Sequence, residues 1–292
     1  MTAWRPYAEV HGTDNSVSGT VLVWPRLEGA EGIPAREIVV YLPPSLVWRG
    51  ERGVVASTSG RRYPVLYFHD GQNVFDARTS FVGEWHADEA LEQLATEGYE
   101  AIAVAIPNDG EARMDEYNPW REANRFAKGR RIVGGKGDAY LDWLVGMVKP
   151  LIDRSFPTRS ERAATGVVGS SMGGLISLYA LIAYPAVFGL AGVLSPSVRW
   201  NDFRILRLIE DAPLPSSRIH VDMGGREWRG MMGDARSVRD ALIARGLREG
   251  ESLNYVEEPY GRHNEGAWAR RLPDALRFLL AEFRTGGPAA VA

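Results

Sequence analysis

The sequence predicts a single α/β domain in which helices cover both faces of a mostly parallel sheet. Six short, mostly apolar runs, each ending in Gly, Asn or Ser, alternate with helical patterns along most of the chain. Continuous apolar runs of this length are typical of strands that are buried on both faces of a parallel sheet. Their alternation with helices indicates an open α/β sheet. The 292 residues, 45% of them hydrophobic, are enough for one large core.

The order of the elements follows from the same patterns. Two β-rich runs, 17–24 and 36–44, come first and are separated by a Gly- and Pro-containing turn, which predicts an antiparallel pair. The parallel strands are expected at 63–71, 100–108, 163–171, 190–197, 218–225 and 253–261. Helical patterns occupy 84–97, 138–156, 173–184, 234–246 and 267–284. Ligands bind beyond the carboxyl ends of the strands in such sheets, so functional residues are expected there.

Two segments do not follow this alternation. Residues 108–138 show no clear period, and loops of roughly thirty residues in compact domains are often lids or binding loops. We therefore expect a lid. The run GRRIVGGKGD inside it lacks P-loop spacing, because Gly137 follows the lysine where Ser or Thr is required. The small residues of 285–292 predict a frayed tail.

Composition excludes several classes of function. The formal net charge is −3 and both signs are interspersed, so nucleic acid is not expected as a partner. The absence of cysteine excludes disulfides, thiolate metal sites and cysteine nucleophiles. The first residues lack the pattern of a secretory signal, and no window reaches the ~18 apolar residues of a membrane span. We expect a soluble cytoplasmic protein.

A serine lies between two glycines where an apolar run gives way to a helical pattern. The segment Gly169-Ser170-Ser171-Met172-Gly173 matches G-x-S-x-G, with Ser171 in the centre. In a nucleophile elbow a strand turns abruptly into a helix, the central residue is strained, and the glycines make room for the crossing. On the pattern alone, a glycine-rich turn is an equal alternative. The strand before the motif and the helix after it favour Ser171 as a nucleophile.

A serine nucleophile needs a base that takes its proton. The base follows the serine in the chain when the order is Ser, acid, His. His263 lies just after the last predicted strand and before the final helix, which makes it the candidate base. The other histidines precede the sheet or the serine, or lie within predicted elements; they are His11, His69, His86 and His220.

The acid of such a triad accepts a hydrogen bond from the imidazole and is expected after the penultimate strand. The run RIHVDMGGREW offers Asp222 within the strand pattern and Glu227 in the loop beyond it. Asp240 lies on the next helix. We expect Glu227 to be the acid, with Asp222 and Asp240 as open alternatives.

Two backbone N–H groups are expected to face the oxyanion. One is that of Met172, at the helix N-terminus after the serine. The second usually comes from the loop after the third strand, which here is HDGQN. Gly71 allows this backbone to turn inward, so that the N–H of Gln72 points at the reacting centre; a simple turn at Asp70-Gly71 is the alternative.

Taken together, these segments resemble the esterase family that includes enterochelin esterases, feruloyl and acetyl xylan esterase domains, esterase D and the mycolyltransferase antigens. The similarity extends from about Arg36 to Phe283, and it is carried by YPVLYFHDGQNVFD, AVAIPN, YLDWLVGMVKPLIDRSF, GSSMGGLISLYALIAYPAVFG, LSPS, GGRE and GRHNEGAW. The segments Gly224–Glu227 and His263–Trp268 are most similar to the enterochelin-esterase-like branch.

The resemblance implies an α/β-hydrolase fold that cleaves carboxylic esters without a metal or organic cofactor. It implies Ser171 as nucleophile, His263 as base, Glu227 as acid, and Asp70-Gly71-Gln72 as the oxyanion loop. An acyltransferase would use the same triad, and a binding protein on the same fold is a third alternative, although it predicts a broken triad.

The expected partner is a small-molecule ester, and the sequence leaves open whether the chain forms a homo-oligomer. Aromatic and basic residues near the strand ends are candidates for a substrate-binding rim, or else they pack in the core or are solvated. They are Trp85, Trp120, Arg121, Arg125, Phe126, Arg199, Trp200 and Trp268, in addition to Asp70 and Gly71 of the oxyanion loop.

Overall fold

The computed structural model describes residues 3–49, 54–57, 60–123, 131–212, 214 and 216–285. Its strands are β1 (Arg5–Pro6), β2 (Thr20–Leu27), β3 (Arg36–Leu42), β4 (Leu46–Arg49), β5 (Val54–Ser57), β6 (Val65–Phe68), β7 (Ile102–Ala105), β8 (Glu122–Ala123), β9 (Ile132–Val133), β10 (Thr165–Ser170), β11 (Leu190–Leu194), β12 (Arg218–Gly224) and β13 (Leu253–Glu258). Its α-helices are α1 (Tyr7–His11), α2 (Ala87–Thr96), α3 (Arg113–Glu116), α4 (Gly137–Trp143), α5 (Lys149–Ser155), α6 (Met172–Ala183), α7 (Arg204–Asp211), α8 (Met231–Ala244) and α9 (Glu265–Leu279).

Within these described residues the main sheet has nine strands, in the order β1-β2-β3-β7-β6-β10-β11-β12-β13. The pairs from β1 to β7 are antiparallel. The pairs from β7 to β13 are parallel. The predicted mostly parallel sheet with an antiparallel opening is therefore confirmed.

The apolar runs form the central strands because both faces of the sheet are covered. All residues of β6, β7, β10 and β11 are buried, as expected for parallel strands between two layers of helices. Of the two large core clusters in the described residues, one contains Leu175, Leu178 and Leu181 of α6, and the second contains Leu272, Leu276 and Leu279 of α9. The two helices that follow the predicted serine and histidine thus anchor opposite layers.

Several elements differ from the sequence-based expectation. The helix expected over 138–156 is present as α4, a π-helical segment Leu144–Val148 and α5. Helix α7 was not predicted. The expected lid region 108–138 contains the short helix α3 and the β8–β9 ribbon. Residues 124–130 of that region, including Arg125 and Phe126, lie outside the described residues, as do residues 286–292 of the expected tail.

No helix among the described residues is both long and apolar enough to span a membrane.

Candidate active site

Ser171 lies at an abrupt turn between β10 and α6. Its backbone angles are φ 57° and ψ −116°, a conformation that L-residues rarely adopt and that costs about 1–3 kcal/mol. The surroundings leave no room for larger flanking residues, because a Cβ on Gly169 would overlap the backbone of Gly173. The Ser171 N–H donates to the Leu194 carbonyl at 3.0 Å, which ties the turn to the neighbouring strand. The turn therefore has the geometry of a nucleophile elbow.

The structure brings Ser171, His263 and Glu227 together in one hydrogen-bonded chain. His263 Nε2 lies 2.9 Å from Ser171 Oγ, and His263 Nδ1 lies 2.7 Å from Glu227 Oε2. The Glu227 and His263 side chains are 1% and 12% exposed, so water reaches the imidazole but hardly the carboxylate. These contacts have the geometry of a serine–histidine–acid triad.

The loops that carry His263 and Glu227 are packed tightly against each other. A Cβ on Gly224 would overlap the Gly261 carbonyl, so only glycine permits this approach. The Arg226 N–H donates to the Gly261 carbonyl at 2.9 Å. After His263, Asn264 begins α9, and its side chain accepts a hydrogen bond from the Ala267 N–H at 3.0 Å. Both loops are thus fixed by backbone contacts and by a helix cap.

A second layer of hydrogen bonds holds Glu227. Its Oε1 accepts from the Gly224 N–H at 2.9 Å and from the Ser195 hydroxyl at 2.6 Å. The same hydroxyl accepts from Trp268 Nε1 at 3.0 Å and from an Arg271 N–H at 2.9 Å. Because Trp268 and Arg271 can only donate, the Ser195 proton is directed to Glu227. The carboxylate therefore keeps Oε2 for the imidazole.

The two alternative acids lie elsewhere. Asp222 is fully buried at the end of β12, where Arg271 Nε contacts it at 2.9 Å. Burial alone would raise the pKa of Asp222, but hydrogen bonding to His220 and the Arg271 charge hold it below its ordinary value. Asp240 is exposed on α8 and pairs with Arg239 at 2.7 Å. Of the three carboxylates, Glu227 is the one whose contact with His263 the described residues show.

The loop after β6 packs against the first turn of α6, because a Cβ on Gly173 would lie 3.4 Å from Asp70 Oδ2. The Gly71 N–H donates to the Ile106 carbonyl at 2.8 Å, and a Cβ on Gly71 would overlap the backbone of Ile106. Gln72 Oε1 accepts from the Asn108 N–H at 3.1 Å. The N–H groups of Gln72 and Met172 have no acceptor within the described part of the chain. Both remain available to an oxyanion.

Asp70 lies in the left-handed region, with φ 56°, and its buried carboxylate pairs with the partly exposed Arg113. Arg113 Nε and an Arg113 terminal N–H donate to its two oxygens at 2.6 and 2.7 Å, and the Asn108 amide donates at 2.6 Å. Burial alone would raise the pKa of Asp70, but the Arg113 charge keeps it below its ordinary value. The Asp70 carboxylate therefore fixes the loop after β6 by accepting hydrogen bonds from Arg113 and Asn108.

His69 belongs to the buried support of the same loop. Its Nδ1 lies 2.8 Å from the Tyr140 hydroxyl, and its side chain is buried. Burial lowers the pKa of His69 to about 4. The imidazole is consequently neutral at pH 7 and packs between Tyr117 and Tyr140.

The remaining candidate rim residues are dispersed. Trp268 is buried and contacts the edge of the His263 ring at 5.0 Å. Trp200 is 9% exposed and belongs to the core. Trp120 packs edge-on against Tyr179, and Arg199 forms an ion pair with Asp234. Arg121 is exposed beside Gly135, and Trp85 is buried against Trp268.

The sequence reasoning did not single out several residues that contact the site. Trp228 is 66% exposed, and its ring lies 4.5 Å from that of His263. Ser197 Oγ lies 3.1 Å from Ser171 Oγ. Ser195 and Ser197 belong to the LSPS segment, which the family resemblance included, so a signal existed for them. Trp228 is adjacent to Glu227 in the chain and was available by position alone.

Among the described residues, the donors closest to a metal-ligand arrangement are Glu84, His86 and Glu89 at the start of α2. None of them belongs to the Ser171 site.

The sheet order, the strained turn at Ser171 and the position of His263 after the last strand define an α/β-hydrolase fold. Residues 35–279 match the model of the family described as "Putative esterase". The chain belongs to that family, and it is an esterase.

Individual relatives are consistent with this membership. The chain is 26% identical over 260 residues to the "Uncharacterized protein YbbA" of Bacillus subtilis, a match that covers 86% of this chain and 94% of YbbA. It is 33% identical over 160 residues to a siderophore enterobactin esterase of Emericella nidulans, covering 52% of this chain and 46% of that protein. An IroE-like serine hydrolase from Shewanella oneidensis superimposes with a TM-score of 0.68 at 20% identity, covering 88% and 79% of the two chains.

Proposed function

We propose that the chain hydrolyses carboxylic esters through Ser171, His263 and Glu227 by way of an acyl-enzyme intermediate. The observation that carries the proposal is the continuous chain of two hydrogen bonds, 2.9 Å from Ser171 Oγ to His263 Nε2 and 2.7 Å from His263 Nδ1 to Glu227 Oε2. A hydroxyl becomes a nucleophile when a base oriented by a third group takes its proton, and this geometry supplies both.

In the first half-reaction, Ser171 Oγ attacks the ester carbonyl carbon while its proton passes to His263 Nε2. The carbonyl oxygen takes up the displaced electron pair and accepts hydrogen bonds from the N–H groups of Met172 and Gln72. Loss of one such donor typically costs about 3–4 kcal/mol of transition-state stabilisation. The oxyanion then re-forms the carbonyl, the ester carbon–oxygen bond breaks, and His263 gives its proton to the leaving alcohol oxygen.

In the second half-reaction, a water molecule gives a proton to His263 and attacks the acyl carbon. The carbon–Oγ bond breaks, Ser171 Oγ takes the proton from His263, and the acid leaves. Glu227 keeps the imidazole in the tautomer with hydrogen on Nδ1 and stabilises its protonated form.

The direct test is Ser171→Ala assayed with p-nitrophenyl acetate. Loss of turnover, with circular dichroism and thermal unfolding like those of the parent chain, is the expected result. Ser170→Ala is the matched control, because Ser170 is buried in β10 next to the elbow. Retained turnover in Ser171→Ala would refute the assignment.

The substrate panel follows from the relatives and from the open alternatives. The name of the Emericella nidulans relative gives a siderophore ester as one arm of the panel, beside simple alkyl and aryl esters. Added alcohol acceptors separate a hydrolase from an acyltransferase, because only the latter diverts most of the acyl group from water. We expect free acid to remain the main product.

A further inference from the structure

The segment after β11 places two serine hydroxyls at opposite ends of the proposed triad. Ser195 donates to Glu227 Oε1 at 2.6 Å, and Ser197 Oγ lies 3.1 Å from Ser171 Oγ. Ser195 binds the carboxylate oxygen of Glu227 that does not contact His263. Ser197, in contrast, touches the oxygen atom that would form and break the bond to the acyl group.

The direction of the Ser197 hydrogen bond follows from counting protons. A serine hydroxyl has one proton to donate and two lone pairs that accept. His263 Nδ1 donates its hydrogen to Glu227, so Nε2 carries no hydrogen and is an acceptor. The Ser171 hydroxyl therefore donates to Nε2, with 2.9 Å between Oγ and Nε2. The contact between the two serines therefore requires Ser197 to be the donor and Ser171 Oγ the acceptor.

The backbone holds Ser197 in this position. Its N–H donates to the Ser171 carbonyl at 2.9 Å, and the Ser171 N–H donates to the Leu194 carbonyl at 3.0 Å. The intervening Pro196 packs against the first turn of α6, because a Cβ on Gly174 would lie 3.2 Å from its Cα. The segment that carries the hydroxyl is thus tied to the elbow by backbone hydrogen bonds and packing.

We propose that Ser197 is a further catalytic residue, whose hydroxyl donates a hydrogen bond to Ser171 Oγ and favours release of the acyl group. The proposal rests on the proposed function. When the acyl-enzyme is hydrolysed, the carbon–Oγ bond breaks, its electron pair goes to Oγ, and a proton arrives from His263. Because negative charge develops on Oγ in this step, a donor on it stabilises the transition state.

The same donor assists the first half-reaction less. The hydrogen bond to the free Ser171 hydroxyl is present before Oγ attacks, so it stabilises the starting state as well as the transition state. In the acyl-enzyme, by contrast, Oγ is an ester oxygen and a weak acceptor, so the hydrogen bond strengthens only as the carbon–Oγ bond breaks. Removal of the Ser197 hydroxyl is therefore expected to slow deacylation selectively. Hydrogen bonds to charged groups are strong enough for a loss of about 10-fold or more.

The experiment measures both half-reactions of Ser197→Ala with p-nitrophenyl acetate by stopped flow, and detects the acetyl adduct by intact-protein mass spectrometry after an acid quench. We expect deacylation to fall about 10-fold or more, acylation to change less than about 3-fold, and the adduct to accumulate on Ser171. Ser197→Thr keeps the hydroxyl and should restore deacylation.

The matched control is Ser217→Ala. Ser217 is buried just before β12, and its hydroxyl accepts from Arg162 at 2.9 Å, so this variant likewise loses one hydrogen-bonded hydroxyl, at a site away from Ser171. Parent-like rates are expected from it. The proposal is overturned if Ser197→Ala deacylates at the parent rate, or if both half-reactions fall equally. If Ser171→Ala turns over p-nitrophenyl acetate at the parent rate, the proposed function itself fails, which is a distinguishable result.

Discussion

Two charged clusters, one buried and one partly exposed, lie near Ser171 and use the same pairing of arginine with aspartate for different purposes. The acid-side cluster consists of Ser195, Asp222, Glu227 and Arg271. The oxyanion-side cluster consists of Asp70, Asn108 and Arg113. The Arg271 side chain is 6% exposed and contacts both Asp222 and Glu258, whereas the Arg113 side chain is 27% exposed and binds Asp70 with two hydrogen bonds.

The difference lies in what each cluster holds. The acid-side cluster surrounds a carboxylate, Glu227, that contacts the imidazole directly. The oxyanion-side cluster fixes a backbone turn, and its carboxylate is saturated by protein donors. A change on the acid side should therefore act on proton transfer, and a change on the oxyanion side should act through the positions of backbone N–H groups.

The largest effect is expected from Glu227→Gln, which removes the charge that orients and stabilises the imidazole. In the proposed mechanism kcat for p-nitrophenyl acetate should fall roughly 10³- to 10⁴-fold, as for the loss of the acid in other triads. Asp240→Asn is the control, because it neutralises an exposed carboxylate on α8. A similar loss in both variants, or less than a 10-fold loss in Glu227→Gln, would argue against the acid-side assignment.

Arg271→Met should lower the free energy of unfolding by about 3–5 kcal/mol, because it leaves Asp222 buried without its counter-charge. Arg113→Met should cost less, about 2 kcal/mol, because water reaches part of the Arg113 side chain. Urea unfolding measures both. Adding Asp222→Asn to Arg271→Met should recover part of the lost stability, since it removes the unpaired charge. An equal loss of unfolding free energy in the two arginine variants would contradict the difference between the clusters.

The stability of the oxyanion side should depend on pH through His69. In the unfolded chain, His69 binds a proton when the pH falls below its ordinary pKa of 6.5. In the folded chain, burial lowers the pKa of His69 to about 4. The contribution of neutral His69 to the free energy of unfolding should be complete above pH 6.5. It should fall by about 3 kcal/mol as the pH drops to 4. His69→Gln keeps a partner for Tyr140 and should flatten this interval; an unchanged slope would contradict the assignment.

The smallest effect is expected at the exposed edge of the site. Trp228→Ala removes an indole that lies against the His263 ring but is largely exposed, so KM for an aryl ester should rise about 2- to 5-fold with little change in kcat. Ile243→Ala removes an exposed apolar side chain from α8 and should change neither constant. A kcat loss larger than 10-fold would assign Trp228 a role in holding His263 instead.

The sequence predicted the elements whose signals are local. Short segments predicted the strand, turn and helix at Ser171 and the succession of strands along the chain. Short segments also led to Ser171, His263 and Glu227, which the structure brings together. Helix α7 was missed because it has only eight residues. Its buried positions, Ile205 and Ile209, repeat once, which is too few to establish a helical pattern. Trp268 was a candidate for the rim or for the core, and it is buried; periodicity does not show which neighbour covers an aromatic ring.

The two clusters were beyond the reach of sequence patterns for a different reason. Arg271 contacts Ser195 across 76 positions, and Arg113 contacts Asp70 across 43. In the sequence, each arginine resembles a solvated charge on a helix or a loop. Only the folded chain shows that they neutralise buried carboxylates, since burial depends on the packing of distant segments.

Activation of Ser171 by His263 is measured by labelling with a fluorophosphonate probe followed by peptide mapping. We expect a label on Ser171 in the parent chain, with labelling abolished in Ser171→Ala and slowed at least 100-fold in a folded His263→Ala. A label on another residue, or Ser171 labelling at the parent rate without His263, would contradict it.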